Sequence, residues 1–273
     1  MPRLMNVRPN RGVRFLLGAA PLALVVLVYL MASAERHAAN PADKVLPTLA
    51  QMIAALKLMG LDQDAQTGAI LLWADTGASL TRIGLSLAIA TATTLILGVS
   101  LGVLPFFRAT LGPLIAAIAV VPPIAVLPIL FIALGLGEAS KIALIVIGVT
   151  PLMVRDLAAH VSAIPEEQMV KAQTLGASTW QAAVRVALPQ ALPRLFDNLR
   201  LSLGPAWVFL ISSEAIASDV GLGYRIFLVR RYLSMDIILP YVVWISLLAI
   251  AMDVTLTLLR RALFPWAATA RAA

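Results

Sequence analysis

The 273-residue sequence contains no cysteine and only two histidines, His37 and His160. Without thiols, disulfides, thiolate catalysis and cysteine-ligated zinc are excluded. Two histidines cannot supply a histidine-rich metal site, and both read as solvated. Charge is also scarce: Asp, Glu, Lys and Arg make up 13% of the chain, against roughly a quarter in soluble domains. No Gly-x4-Gly-Lys-Ser/Thr phosphate loop occurs, so nucleotide-driven work needs another subunit. No paired-carboxylate or Ser/His/Asp arrangement stands out, and the chain reads as a non-enzyme with no cofactor of its own.

What is present is apolar sequence, 60% of all residues. That is too much for one buried core, whereas a bilayer also demands apolar outer surfaces. Six membrane helices are predicted: Phe15–Ala34, Ile83–Phe107, Ala109–Gly137, Ile142–Val154, Leu201–Ser218 and Ile237–Leu259. The fourth is short, and Lys141 and Arg155 at its flanks are expected to snorkel to the interfaces. The first has an Arg-rich leader and ends in Ala32-Ser33-Ala34, which also suits a cleavable signal. Its length favours an uncleaved anchor.

Placing the N-terminus inside puts thirteen basic residues against four acids on the inner side, including Arg3, Arg8, Arg108, Arg155 and Arg271. The outer side then holds eight of each sign, and the membrane itself Glu214 and Asp253. The net charge of +7 is therefore mainly a topology signal. It points to an inner-membrane, multi-pass protein in contact with lipid, with both termini cytoplasmic, and not to a nucleic-acid binder.

The sequence divides into four segments. Residues 1–34 are the inner leader and first span. Residues 35–78 are an outer connection in which Val45–Leu58 carries Leu46, Leu49, Met52, Ile53 and Leu56 on one helical face. That helix lies on the membrane surface or packs on the ends of the spans. Residues 79–266 are the core, with a polar inner loop at 158–195, and 267–273 are an inner tail.

Within the third predicted span, Pro122, Pro123 and Pro128 must bend or break the helix. Such breaks survive at membrane depth where protein or a water-filled path covers them, so these prolines are candidates to line a path or to kink a packing interface. Glu214 and Asp253 are costly in lipid. They are path candidates too, or partners of Arg225, Arg82 or backbone donors. Arg225, Arg230 and Arg231 form a basic outer cluster, either solvated or facing acids of another protein.

The inner loop is the most informative segment. Pro165-Glu166-Glu167 suits a helix start and Gly176 a helix end. Ser178 or Thr179 suits the cap of a second short helix that Pro189 closes. Two short helices meeting at a glycine form a knob suited to a partner's groove.

The order Ala172, then Gly176, then Val186-Ala187-Leu188-Pro189 resembles the signature loop of binding-protein-dependent ABC importer permeases, with Val170 and Lys171 in place of its Glu-Ala. Gly135-Leu136-Gly137-Glu138, Leu188-Pro189-Gln190-Ala191-Leu192-Pro193, Ser213-Glu214-Ala215 and Gly221-Leu222-Gly223 resemble the nitrate/sulfonate/taurine-type subfamily. The likeness runs from Ala78 to Trp266. It implies an all-α polytopic fold of the type I importer permease class, and a second permease copy, expected to be identical. It also implies ATPase subunits that hold ATP and magnesium, a periplasmic solute-binding protein, and alternating access for a small polar solute containing nitrogen or sulfur. The wording of the chain also resembles a subgroup linked to urea or guanidine metabolism. By the same resemblance Ala172, Gly176, Ser178, Thr179 and Trp180 couple the chain to the ATPase. An ion-gradient-driven transporter, with Glu214 and Asp253 as its ion sites, and a non-transporting scaffold are the alternatives.

Overall fold

The computed structural model describes residues 10–41, 43–64 and 68–269; Arg3, Arg8 and Arg271 of the inner basic set lie outside them. Every regular element among the described residues is helical: α1 (Arg11–Ala39), α2 (Leu49–Leu61), α3 (Leu71–Val103), α4 (Pro105–Ile118), α5 (Pro123–Leu134), α6 (Glu138–Ser162), α7 (Glu166–Thr174), α8 (Thr179–Ala182), α9 (Leu188–Ala217), α10 (Leu222–Arg230), α11 (Met235–Leu263) and α12 (Trp266–Thr269). Four of these, α1, α3, α6 and α11, are long and apolar enough to cross a bilayer alone. The pair α4 and α5, bent by 95°, and the helix Thr179–Ala217 with α10, bent by 54°, raise the count to six if each is one broken span.

The centre of the bundle is α3 against α6 and α6 against α9. Ile83 and Ala90 of α3, Leu144, Ile145 and Leu157 of α6, and Ala206 and Leu210 of α9 are fully buried. Gly98 and Gly102 of α3, a small-xxx-small pair, admit α6 at a distance no larger residue allows. A Cβ on Gly98 would sit 2.9 Å from Leu157, and one on Gly102 2.4 Å from Val161.

Several boundaries differ from the sequence reading, each for a local reason. The second span is α3, which starts twelve residues before the predicted Ile83 and stops at Val103, because Pro105 opens a new helix. There the Arg108 guanidinium donates to the carbonyls of Leu101 and Gly102, satisfying the C-terminal end of α3. The third span is two helices. Its chain turns at Ala119–Pro122, and Pro123, lacking an N–H, starts α5 at no cost in hydrogen bonds. α6 is longer than Ile142–Val154, so Lys141 does not snorkel; it is buried near the start of that helix. Most of the expected 158–195 loop is helical, since α6 runs to Ser162 and α9 begins at Leu188.

α2 starts at Leu49, not Val45. Pro47 precedes it, Thr48 caps it, and Gln51 completes a capping box with 2.8 Å and 3.3 Å bonds. It packs on α11 and α3, burying Ala55 and Gly60. α1 stands apart, none of its apolar window being buried. It is held at one end, where Tyr29 Oη donates to Pro47 O at 2.7 Å, Ser33 Oγ to Leu46 O at 2.9 Å, and Arg36 pairs with Asp43.

Candidate functional site

Two built features occupy opposite ends of the bundle. At one end α7 and α8 form the knob. Glu166 and Glu167 occupy the first turn of α7, where the positive helix end favours them. The helix closes in a Schellman turn: Ala177 N–H donates to Ala172 O at 3.0 Å and Gly176 N–H to Gln173 O at 2.9 Å. Gly176 sits at φ +82°, with open space around the position of a Cβ, so its backbone alone demands glycine. Ser178 caps α8 through a capping box with Gln181, and Thr179 is the first residue of that helix.

Leu175 and Trp180 are exposed, by 88% and 75%, and Val170 by half. The tip of the knob is therefore an uncovered apolar surface on a polar base. Gln190 on α9 donates to Gln168 Oε1 of α7 at 2.9 Å, which braces the base.

Pro189 does not close the second helix. Ala183–Ala187 form a π turn, in which Leu188 N–H donates to Ala183 O, and the chain continues into α9. The wide turn accommodates the missing Pro189 amide without ending the helix. Behind it, Trp180, Val184 and Leu188 face Leu95, Val99 and Val103 of α3 across an apolar groove of about 370 Å³.

At the opposite end three acidic and three basic side chains interlock in two groups. In the first, Arg82 on α3 donates to Glu214 Oε1 on α9 at 2.7 Å and forms a fork on Glu138 of α6 at 2.5 and 2.7 Å. Lys141 reaches Glu138 Oε1 at 3.0 Å and Ser218 Oγ at 3.2 Å. Glu214, with no exposed surface, also accepts from Ser79 Oγ at 2.7 Å and Gly223 N–H at 2.8 Å. In the second group, Asp75 on α3 accepts from Arg225 Nε at 2.8 Å, Tyr241 Oη at 3.2 Å and Gly221 N–H at 2.9 Å. Ser79 Oγ accepts from Leu222 N–H at 2.9 Å and joins the two groups.

The turn between α9 and α10 thus lies directly on the Glu214 carboxylate. Gly221 has φ +138°, and a Cβ there would come within 2.6 Å of that carboxylate. Burial of Asp75, Arg82, Lys141 and Glu214 is tolerated because each has a partner of opposite sign, while Glu138 keeps half of its side chain exposed.

These positions revise the charge reading. Arg82 and Asp75 are not outer-loop residues but sit inside α3, and Arg225 is not part of a free basic cluster. Arg230 and Arg231 alone of that trio are exposed. Glu214 meets Arg82, one of the partners the sequence offered. Asp253 meets a different one, Arg200 on α9, in a two-point pair at 2.8 and 2.9 Å, and its carboxylate is 42% exposed. Pro122 is exposed and Pro123 half-buried at the α4–α5 break, whereas Pro128 lies exposed inside α5, which it does not break. Asp75, Ser79 and Lys141 went unread as members of a site. The available signal was the spacing of Asp75, Ser79 and Arg82, four and three residues apart, which is one helix face.

A helical bundle of broken spans with a two-helix knob at one end is the fold of type I ABC importer permeases. A subunit of a methionine ABC transporter in its inward-facing state superposes with a TM-score of 0.63 at 20% identity, over 73% of this chain and 99% of that one. A subunit of a bacterial alginate ABC transporter gives 0.60 at 14% identity, over 93% and 97%. The chain belongs to the family described as binding-protein-dependent transport system inner membrane component, whose model matches residues 90–268.

Within it, the taurine transport system permease of Escherichia coli K12 is 36% identical over 195 residues, 71% of each chain. The bicarbonate transport system permease of Synechococcus elongatus is 32% identical over 187 residues, 67% of this chain and 66% of that one. The nitrate import permease of Synechocystis is 26% identical over 176 residues, 64% of each. The chain is an inner-membrane ABC importer permease subunit of the nitrate/sulfonate/taurine type.

Proposed function

We propose that this subunit passes a small polar solute, containing nitrogen or sulfur, through the inner membrane by alternating access. The work is done by partner ATPase subunits, which hold ATP and magnesium, and a periplasmic binding protein delivers the solute. The knob is the coupling element. Ala172, Gly176 and Ser178 set its shape, while Thr179 and Trp180 present its surface to the ATPase. The observation that carries this reading is the exposed apolar tip, Leu175 with Trp180, held on a Schellman turn and a capping box. An apolar knob on rigid caps suits insertion into a groove. The knob end then faces the cytoplasm, in accord with the basic bias of the sequence at that end, and both termini lie inside.

Two copies of the chain assemble around the path. Pro122 and Pro123 form a hinge beside it, consistent with the 95° bend there, and Pro128 lines the path from within α5. Glu214 acts as an anchor, since three donors, Ser79, Arg82 and Gly223, already occupy its carboxylate. Asp253, still partly exposed beside Arg200, is the carboxylate left to meet a passing solute. The relatives named for taurine and nitrate support a nitrogen- or sulfur-containing solute, and urea- and guanidine-like solutes belong in the same screen.

The test is reconstitution of the chain with its ATPase and binding protein in proteoliposomes, with labelled taurine, nitrate, urea and guanidinium. ATP-dependent uptake of one of them, lost on altering the knob, supports the proposal. Uptake by the chain alone, driven by an ion gradient and indifferent to ATP, overturns it.

A further inference from the structure

At the end of the bundle opposite the knob, α2 leaves a groove of about 500 Å³ against the first turns of α3 and α11. Its walls are Leu49, Met52, Ile53, Leu56 and Gly60 of α2, Leu72 and Trp73 of α3, and Leu239, Pro240, Val243 and Trp244 of α11. Apart from the capping Gln51 and Lys57, the exposed side of the helix is apolar. Leu49, Ile53, Leu58 and Leu61 are each more than half exposed, and Ala55 and Gly60 pack inward. A helix that is apolar on its free face as well as its packed face lies in the bilayer boundary rather than in water.

The two indoles mark the same depth. Trp73 and Trp244 meet edge to face at 5.7 Å. Both N–H groups are already used, on Gly60 O at 3.1 Å and Thr76 Oγ1 at 2.9 Å. Their ring faces are therefore what the groove offers, as expected of the aromatic belt at a membrane interface. Lys57 is the one charged residue of α2 and of the groove lining, and it has no ion-pair partner among the described residues.

We infer that this groove is a binding site for an anionic phospholipid. One acyl chain lies along Ile53, Leu56 and the two tryptophans, and the headgroup phosphodiester meets the Lys57 ammonium. The volume falls in the range of small-molecule sites. The single cation at the rim of an apolar slot matches one anionic head on an apolar tail, where a protein partner would ask for a mixed polar rim. The site is separate from the knob and from the interlocked charges, and its test does not depend on transport.

The experiment places the intact chain in nanodiscs of mixed phosphatidylglycerol and phosphatidylcholine. It is then released into mild detergent, and bound lipid is counted by native mass spectrometry. Wild type should retain one phosphatidylglycerol per copy and little phosphatidylcholine. Lys57→Glu should lower that retention at least fivefold, and Val243→Trp, which fills the slot from the α11 wall, should abolish it. Thermal midpoints in lipid-free detergent, expected to match wild type, control for folding. A photo-crosslinking residue at Ile53 in native membranes should give lipid adducts. Retention of neither lipid, equal retention of both, equal retention by wild type and Lys57→Glu, or a protein adduct at Ile53 would each overturn the assignment.

Discussion

The Arg82 guanidinium on α3 and the Glu214 carboxylate on α9 meet at 2.7 Å with almost no solvent on either, at the point where α9 gives way to the turn into α10. Three long helices converge on that pair, because Arg82 also grips Glu138 at the head of α6. The pair is where the bundle is tied at its far end.

Removing one partner leaves a buried charge uncompensated. Arg82→Met should destabilise the chain by about 3–5 kcal/mol, read as a large drop in thermal midpoint in detergent. The double variant Arg82→Met with Glu214→Gln should recover a substantial part of that loss. A double variant as unstable as the single would show that the charge itself is not the cause.

Gly221→Ala should lose folded protein, since its backbone is left-handed and the new methyl would run into the Glu214 carboxylate at 2.6 Å. Gly204→Ala, with nothing within 4 Å of the added atom, is the matched control. It should leave the thermal midpoint unchanged or slightly raised.

At Gly176 the space is open and only the dihedral is demanding. Gly176→Asn should therefore retain ATP-dependent uptake, because Asn tolerates the left-handed region. Gly176→Pro, which fixes φ near −65° and removes the donor to Gln173 O, should abolish uptake while the chain still inserts into the membrane. Uptake assays with a membrane-fraction blot separate the two effects. Normal uptake by the proline variant would remove the knob from the mechanism.

Arg225→Gln should free α10 without unfolding the bundle. Its partner Asp75 keeps two other donors, Tyr241 Oη and Gly221 N–H. Amide hydrogen exchange across Leu222–Arg230 should accelerate severalfold while that of α6 stays slow. Unchanged exchange in α10 would mean that the Arg225–Asp75 pair does not hold it.

The legible parts of this protein were those written locally. Pro165-Glu166-Glu167, Gly176 and Ser178 specify helix ends by rules that need only a few neighbours, and the structure builds each end accordingly. Pro122 and Pro123 marked the break in the third span for the same reason. Glu214 was visible as a buried carboxylate with Arg82 among its named partners.

What escaped was long-range. Asp75 lies 150 residues from Arg225 in the chain. Both look like interface charges when hydropathy alone sets the span edges, because the charges in the first half of α3, Asp75 and Arg82, are neutralised by residues of other helices. Span edges were misplaced by the same mechanism. Pro189 was misread because a proline after a short helix usually ends it, and the π turn that carries the chain past it leaves no simple local signature.

That π turn has a mechanical consequence. From Trp180 at the knob tip to Glu214 at the tied end, the chain is one continuous helical segment of 35 residues, about 50 Å at helical rise. The tip and the charge clasp are thus two ends of a single lever. A tilt imposed at the tip would reach the far carboxylate along the backbone of this one segment, less the bending that Pro193 and Pro205 inside it absorb.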